Sequence, residues 1–181
     1  DRDPPCDRPN LSKDFLAGNA PAEWIPLRSP EFYRDQRISL VLDTEIVAID
    51  SHHRRAISGD GRSFAYDRLL LAPGAEPVRL SAPGFDGPQV HYLRSLDDAR
   101  GLGSRAQPGA RAAIPGAGFI GLEAAAALRS RELEVAIVAP EEIPFARILG
   151  DALGRWFRDL HESNGVRFHL RRTPQGYDGA A

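Results

Sequence analysis

Gly116-Ala117-Gly118-Phe119-Ile120-Gly121-Leu122-Glu123 is the stretch on which the reading of this chain turns. A short apolar segment, Ala110 to Ile114, runs into the glycines. An amphipathic run follows them, with Ile120, Ala124, Ala127 and Leu128 at helical spacing. Strand, glycine turn and helix form the setting in which a G-x-G-x-x-G run carries meaning. The first glycine permits a tight turn, the second lets backbone approach a pyrophosphate, and the third lets helix pack against strand. The helix N-terminus then offers unpaired N–H groups and the positive end of its dipole to phosphates. Gly116, Gly118, Phe119, Ile120 and Gly121 are therefore candidate dinucleotide contacts. The same pattern also suits a glycine-rich turn in an ordinary βα unit.

Downstream of the glycines, the pattern reads helix over 119–131, strand over 133–138, helix over about 150–163 and strand over 166–170. Leu149, Leu153, Trp156, Phe157 and Leu160 share one face of the second helix. Asn164-Gly165 stops it. Upstream, a short helix follows Ser12, and Ser29-Pro30-Glu31 opens another with a cap and a first-turn proline. Strands are expected at Ile38–Val41 and Glu45–Ile49. A hairpin of Arg54–Ser58 and Ser63–Tyr66 crosses the turn Gly59-Asp60-Gly61. Arg68 to Ala72 reads as a continuous apolar strand in the middle of a sheet. Val90–Leu93 reads as a short strand, and the helix opening at Ser95 fades at Gly101 and Gly103. Gln107-Pro108-Gly109 marks a boundary between two units.

Composition narrows the classes. At 181 residues the chain can hold one good core or two small ones, and 42% hydrophobic with 27% charged residues is the balance of a globular protein. A formal charge of -2 without a long basic run argues against a nucleic-acid surface. No apolar stretch approaches a membrane span, and nothing at the start has the layout of a signal peptide. The single cysteine, Cys6, can form neither an internal disulfide nor a CxxC redox pair, so a reducing cytoplasm is the expected setting. No methionine occurs, and the expectation is that the chain does not start where a translated gene starts. Arginine is used 22 times and lysine once, at Lys13, which singles that lysine out. The five histidines show no zinc-site spacing.

Five segments in order resemble the flavin-dependent pyridine-nucleotide oxidoreductases, in the ferredoxin and rubredoxin reductase branch near its apoptosis-inducing-factor-like members. They are Asp7-Arg8-Pro9-Asn10-Leu11-Ser12-Lys13, Tyr66 to Pro77, Leu93-Arg94-Ser95-Leu96-Asp97-Asp98-Ala99, the fingerprint at 116–123, and Pro144-Phe145-Ala146-Arg147-Ile148-Leu149-Gly150. The resemblance implies an α/β fold: a partial FAD/NAD(P)-binding, Rossmann-like two-domain flavoprotein with a small β-meander, truncated at both ends. Residues 1–106 would be the middle of the FAD domain, and 107–181 the first part of an inserted NAD(P)H domain. The chain would be the middle part of a protein about twice its length.

The resemblance also implies roles. Arg8 and Pro9 would sit beside FAD, with Lys13 next to the flavin ring and paired to Glu123; these two are the catalytic candidates. A cation there stabilises electron density on the reduced ring. Val47, Ala72 and Gly74 resemble the adenine- and flavin-side contacts, and Arg94 a linker arginine reaching the flavin. For the dinucleotide ribose, the acid expected at the end of the second strand is replaced by Ala139, with Glu141 and Glu142 shortly after. Glu141 and Arg147 are the candidates there, and each also suits an exposed surface charge. Pro115, where relatives carry a β-branched residue, and Cys6, where they carry tyrosine, are further departures.

The functional expectation is an FAD-dependent NAD(P)H oxidoreductase. Hydride would pass from nicotinamide to flavin, and single electrons would leave to a ferredoxin, rubredoxin or Rieske-type iron–sulfur partner. The alternative is a non-catalytic fragment with at most residual nucleotide binding.

Overall fold

A computed structural model describes residues 1–179. Two compact units emerge. The first comprises Asp1–Cys6 and Pro26–Glu76; the second comprises Asp7–Ile25 and the chain from Pro77 onward. The last two residues of the segment expected to run over 107–181 lie outside the described residues. In chain order the helices are α1 (Asp14–Ala17), α2 (Pro30–Asp35), α3 (Leu96–Arg105), α4 (Phe119–Ser130), α5 (Ala146–Leu149) and α6 (Asp151–Ser163). The strands are β1 (Ile46–Asp50), β2 (Arg55–Ser58), β3 (Ser63–Ala65), β4 (Arg111–Pro115), β5 (Glu134–Ala139) and β6 (Val166–Leu170). Among the described residues no helix is long and apolar enough to cross a membrane.

In the first unit, β1, β2 and β3 form an antiparallel meander in that order. A bulge between Ile46 and Ala48 places Val47 out of the regular register. The β2–β3 turn is held by Asp60, whose carboxylate accepts from the Ser58 hydroxyl at 2.5 Å and from the Arg62 backbone N–H at 3.2 Å. Gly61 supplies the positive φ of +85° that this turn needs. Helix α2 starts as its sequence demands: the Ser29 hydroxyl accepts from the Phe32 N–H at 3.3 Å, with proline at the first turn.

Three expected strands are absent. Residues 38–41, 68–72 and 90–93 have irregular backbone, and Leu70 is 86% exposed rather than central to a sheet. A continuous apolar run becomes a parallel strand only when neighbours pair with it on both sides. Among the described residues no strand pairs with 68–72.

In the second unit, β4, β5 and β6 form a parallel sheet in sequence order, with α4 and α6 as the crossovers. Arg111 pairs with Glu134, and Val135 with Val166. Alternation along β5 buries Val135, Ile137 and Ala139 on one face, where they join Leu122, Ala125 and Leu128 of α4 in the core. Each fully buried aliphatic side chain in such a layer stabilises by about 1.5–3 kcal/mol before entropy is counted. Ile120 departs from expectation: it is exposed, and the buried stripe of α4 starts at Leu122. Pro115 is accommodated by geometry. The Gly116 N–H bonds the Val138 carbonyl at 2.8 Å, so the nitrogen one residue earlier faces away from β5, toward the outer edge of β4.

Two helices differ from their sequence reading. Helix α3 does not fade at Gly101 or Gly103 but continues to Arg105. A reciprocal Ser95–Asp98 capping box opens it, and the Arg131 guanidinium holds the Gly103 and Ala106 carbonyls at 2.9 and 3.0 Å at its end. Helix α6 turns Gly154, Phe157 and His161 inward, whereas Leu153, Trp156 and Leu160 are exposed. A side chain at Gly154 would collide with the Pro144 carbonyl oxygen, so the helix backbone lies directly on that loop.

Candidate functional site

The glycine turn shows three different requirements. Gly116 adopts φ +115°, which only glycine takes readily. A side chain at Gly121 would strike the Gly116 carbonyl oxygen, so this position is glycine for helix–strand packing. Gly118 has extended backbone, φ -84° and ψ -176°, and nothing lies within 4 Å of where its side chain would stand. Neither packing nor conformation asks for glycine at 118. It leaves open space directly in front of the N-terminus of a twelve-residue helix. Among the described residues no side chain caps that end and no acid sits in the first turn, which leaves the positive end of the helix and its first-turn N–H groups uncapped. The second glycine therefore fits the close approach of a phosphate. Phe119 flanks the turn, its ring 4.4 Å from that of Phe145.

On the second turn of α4 lies Glu123. Its Oε1 accepts from Lys13 Nζ at 2.9 Å, and its Oε2 accepts from the Ser12 hydroxyl at 2.5 Å. Lys13 Nζ also donates to the Pro9 carbonyl at 2.9 Å. The loop that brings these donors is built from the 3-10 turn Arg8–Ser12, with proline at its start, and from Asn10, whose Oδ1 accepts the Phe15 N–H at 3.0 Å. Beyond it, Arg131 Nη1 donates to the Leu16 carbonyl at 3.1 Å while its other nitrogens hold Gly103 and Ala106. Helix α1 is thus tied to α4 near both ends of α4. Arg8, half-buried, lies in the same turn.

At the far end of β5, Ala139 is buried and offers no carboxylate. Glu141 is exposed, and its carbonyl accepts the Arg171 N–H at 3.1 Å. Glu142 forms an ion pair with Arg171. Arg147 is exposed on α5. The Arg94 N–H donates to Asp98 at 3.0 Å, so its backbone is fixed by the α3 cap. Val47, Ala72 and Gly74 belong to the first unit; all three are exposed, and Gly74 has φ +77°. Of the residues singled out in the sequence, the structure joins Lys13 directly to Glu123, next to the turn that carries Gly116–Gly121.

No sequence pattern marks Ser12 or Arg131 for the roles they take in the fold. Ser12 stands beside Lys13 in the matched segment, but its partner lies 111 residues away. Arg131 is one arginine among 22, and nothing local distinguishes it.

Comparison with known proteins gives a consistent result. Residues 1–181 match the family described as Pyridine nucleotide-disulphide oxidoreductase. Rhodocoxin reductase of Rhodococcus erythropolis is 37% identical over 180 residues, covering 98% of this chain and 42% of that protein. Apoptosis-inducing factor 3 of Mus musculus is 36% identical over 171 residues, covering 94% of this chain and 28% of that protein. The crystal structure of the covalent putidaredoxin reductase–putidaredoxin complex superposes with a TM-score of 0.93 at 31% identity, over 98% of this chain and 43% of that one. The chain spans less than half the length of each of these proteins.

Proposed function

The chain belongs to the pyridine nucleotide-disulphide oxidoreductase family, and on that premise we propose that it carries the dinucleotide turn and the flavin-side ion pair of an FAD-dependent NAD(P)H oxidoreductase. The observation that carries this reading is the Lys13–Glu123 pair, formed by residues far apart in sequence, at the helix that starts on the glycine turn. When bound, NAD(P)H and FAD would supply hydride transfer and the change to single-electron chemistry.

The chain's own residues do the holding. Gly116, Gly118 and Gly121 leave backbone N–H groups of α4 free for the pyrophosphate of NAD(P)H, flanked by Phe119 and Ile120. Glu141 serves the ribose hydroxyls in place of an acid at 139, and Arg147 presents a planar fork of donors to phosphate or ribose. Arg8, Pro9 and Arg94 are the flavin-contact candidates of the second unit; within the first unit, taken by itself, Val47, Ala72 and Gly74 are the candidates for adenine- and flavin-side contacts. Lys13 supplies positive charge near the flavin, and Glu123 holds that ammonium at one place. Residues 1–106 serve FAD and residues 107–181 serve NAD(P)H in this assignment. Relatives named as a rhodocoxin reductase and a rubredoxin reductase support a small iron–sulfur protein, of ferredoxin, rubredoxin or Rieske type, as electron acceptor. A single cysteine suits a reducing, cytoplasmic setting.

A second reading is a non-catalytic fragment with at most residual nucleotide binding; the exposed Leu69–Leu71 run, without a pairing strand among the described residues, is the observation on its side. One experiment separates the two. The purified chain is incubated with FAD, desalted, and its visible spectrum recorded before and after anaerobic addition of NADH. Retained flavin bands that bleach support the oxidoreductase reading for these residues by themselves. A colourless protein that still binds NADH supports the second. A colourless protein that binds neither overturns the oxidoreductase reading for these residues by themselves.

A further inference from the structure

Resting on the Lys13–Glu123 reading, we infer that Ser12 is a positioning residue of this pair: its hydroxyl fixes Glu123 Oε2 and so commits Oε1 to the lysine. Several other ion pairs of the second unit are exposed and join neighbours on one helix, such as Arg100–Asp97 and Arg155–Asp151. Pairs of that kind are held loosely, because two long side chains must give up rotamer freedom for a screened attraction. Lys13–Glu123 would be equally loose on its own, with side chains 47% and 30% exposed.

Ser12 changes this. It is 5% exposed, and its position is set by the 3-10 turn rather than by a long side chain. Its hydroxyl carries one proton. That proton points to Glu123 Oε2 at 2.5 Å, with the Pro9 carbonyl a distant alternative at 3.5 Å. A short hydroxyl-to-carboxylate bond is charge-assisted and directional. With Oε2 taken, the carboxylate plane is fixed and Oε1 faces the ammonium. Pro9 closes the arrangement, since its carbonyl accepts from Lys13 Nζ at 2.9 Å. Two of the three ammonium protons are thereby committed, and the lysine is held at a single place rather than sweeping the surface.

Lys13 is the chain's only lysine, so isotope labelling of lysine gives one side-chain nitrogen resonance with no assignment problem. The test follows the exchange of the Lys13 ammonium protons with water in the 181-residue chain. Ser12→Ala is expected to speed exchange about threefold or more, since a directional charge-assisted contact is lost. Ser12→Thr, which keeps the hydroxyl, is expected to restore the slower rate. If Ser12→Ala lacks the dispersed amide spectrum of the wild type, Ser12→Cys carries the same test, because a thiol of similar size is a weak donor. Unchanged exchange in a folded Ser12→Ala or Ser12→Cys chain overturns the inference. Glu123→Gln is the separate control. If it leaves Lys13 exchange unaltered, the ion pair itself is not populated and the functional reading loses its carrying observation. If Glu123→Gln speeds exchange while the Ser12 variants do not, only the role of Ser12 fails.

Discussion

Lys13 Nζ lies 2.9 Å from Glu123 Oε1, joining the loop after the Arg8–Ser12 turn to the second turn of helix α4. No local pattern requires that meeting. It depends on the loop and the glycine-turn helix packing as one unit. A double-mutant cycle of Lys13→Met and Glu123→Gln, followed by urea denaturation, is expected to give a coupling of about 0.5–1 kcal/mol, the range of a partly exposed ion pair. Coupling near zero would mean the pair adds nothing in solution.

Gly121→Ala is expected to destabilise the chain by about 2 kcal/mol or more, because its methyl group would meet the Gly116 carbonyl oxygen and backbone on both sides would have to move. The check is the midpoint of chemical unfolding. An unchanged midpoint would contradict the packing described for α4.

Arg131→Met removes a guanidinium that bonds three backbone carbonyls, those of Leu16, Gly103 and Ala106. The expected cost is about 2–4 kcal/mol, since each acceptor is left without its charged donor. Arg131→Lys recovers only part of it, because an ammonium cannot span three directions from one planar group. Amide hydrogen exchange checks the location: protection is expected to fall first in α1 and at the end of α3.

Acid is expected to weaken the fold through His91. Desolvation, and secondarily the positive charge of Arg105, push its pKa below the ordinary 6.5, outweighing the opposite pull of Asp98. The folded chain therefore binds fewer protons than the unfolded chain as pH falls through 6.5. Stability is full above that pH and is lost on going down toward the folded pKa. The side chain is still solvent-exposed, so the effect is small. His91→Gln is expected to flatten the stability profile over this window, as read by thermal unfolding across pH 5–8.

Legibility in the sequence followed the range of the interactions. The parallel unit could be read closely because strand alternation and helix spacing are local: β6 spans Val166–Leu170 as expected, and Gly165 ends α6 with φ +85°. The hairpin was legible because Gly59-Asp60-Gly61 states its own turn. Arg68–Ala72 was misread because apolarity shows a wish for burial, not the presence of pairing neighbours. Helix α3 outlasted its glycines because Arg131, distant in sequence, holds its last carbonyls. Ile120 matched the helical period yet is exposed in the first turn of α4, since the period alone does not say which turns of a helix are covered. The Lys13–Glu123 pairing came from resemblance; the Ser12 contact across 111 residues needed the folded chain.

Whether the turn at 116–121 receives a dinucleotide is decided by calorimetric titration of NADH into the wild-type chain and Gly118→Val. At Gly118 the backbone is extended and nothing lies within 4 Å of an added Cβ, so the variant should fold as the wild type does. The expected result is one binding site in the wild type and a loss of about tenfold or more in affinity for Gly118→Val, since the side chain occupies the space of the approaching phosphate. Equal affinity in two equally folded proteins, or no binding by the wild type, would contradict the account.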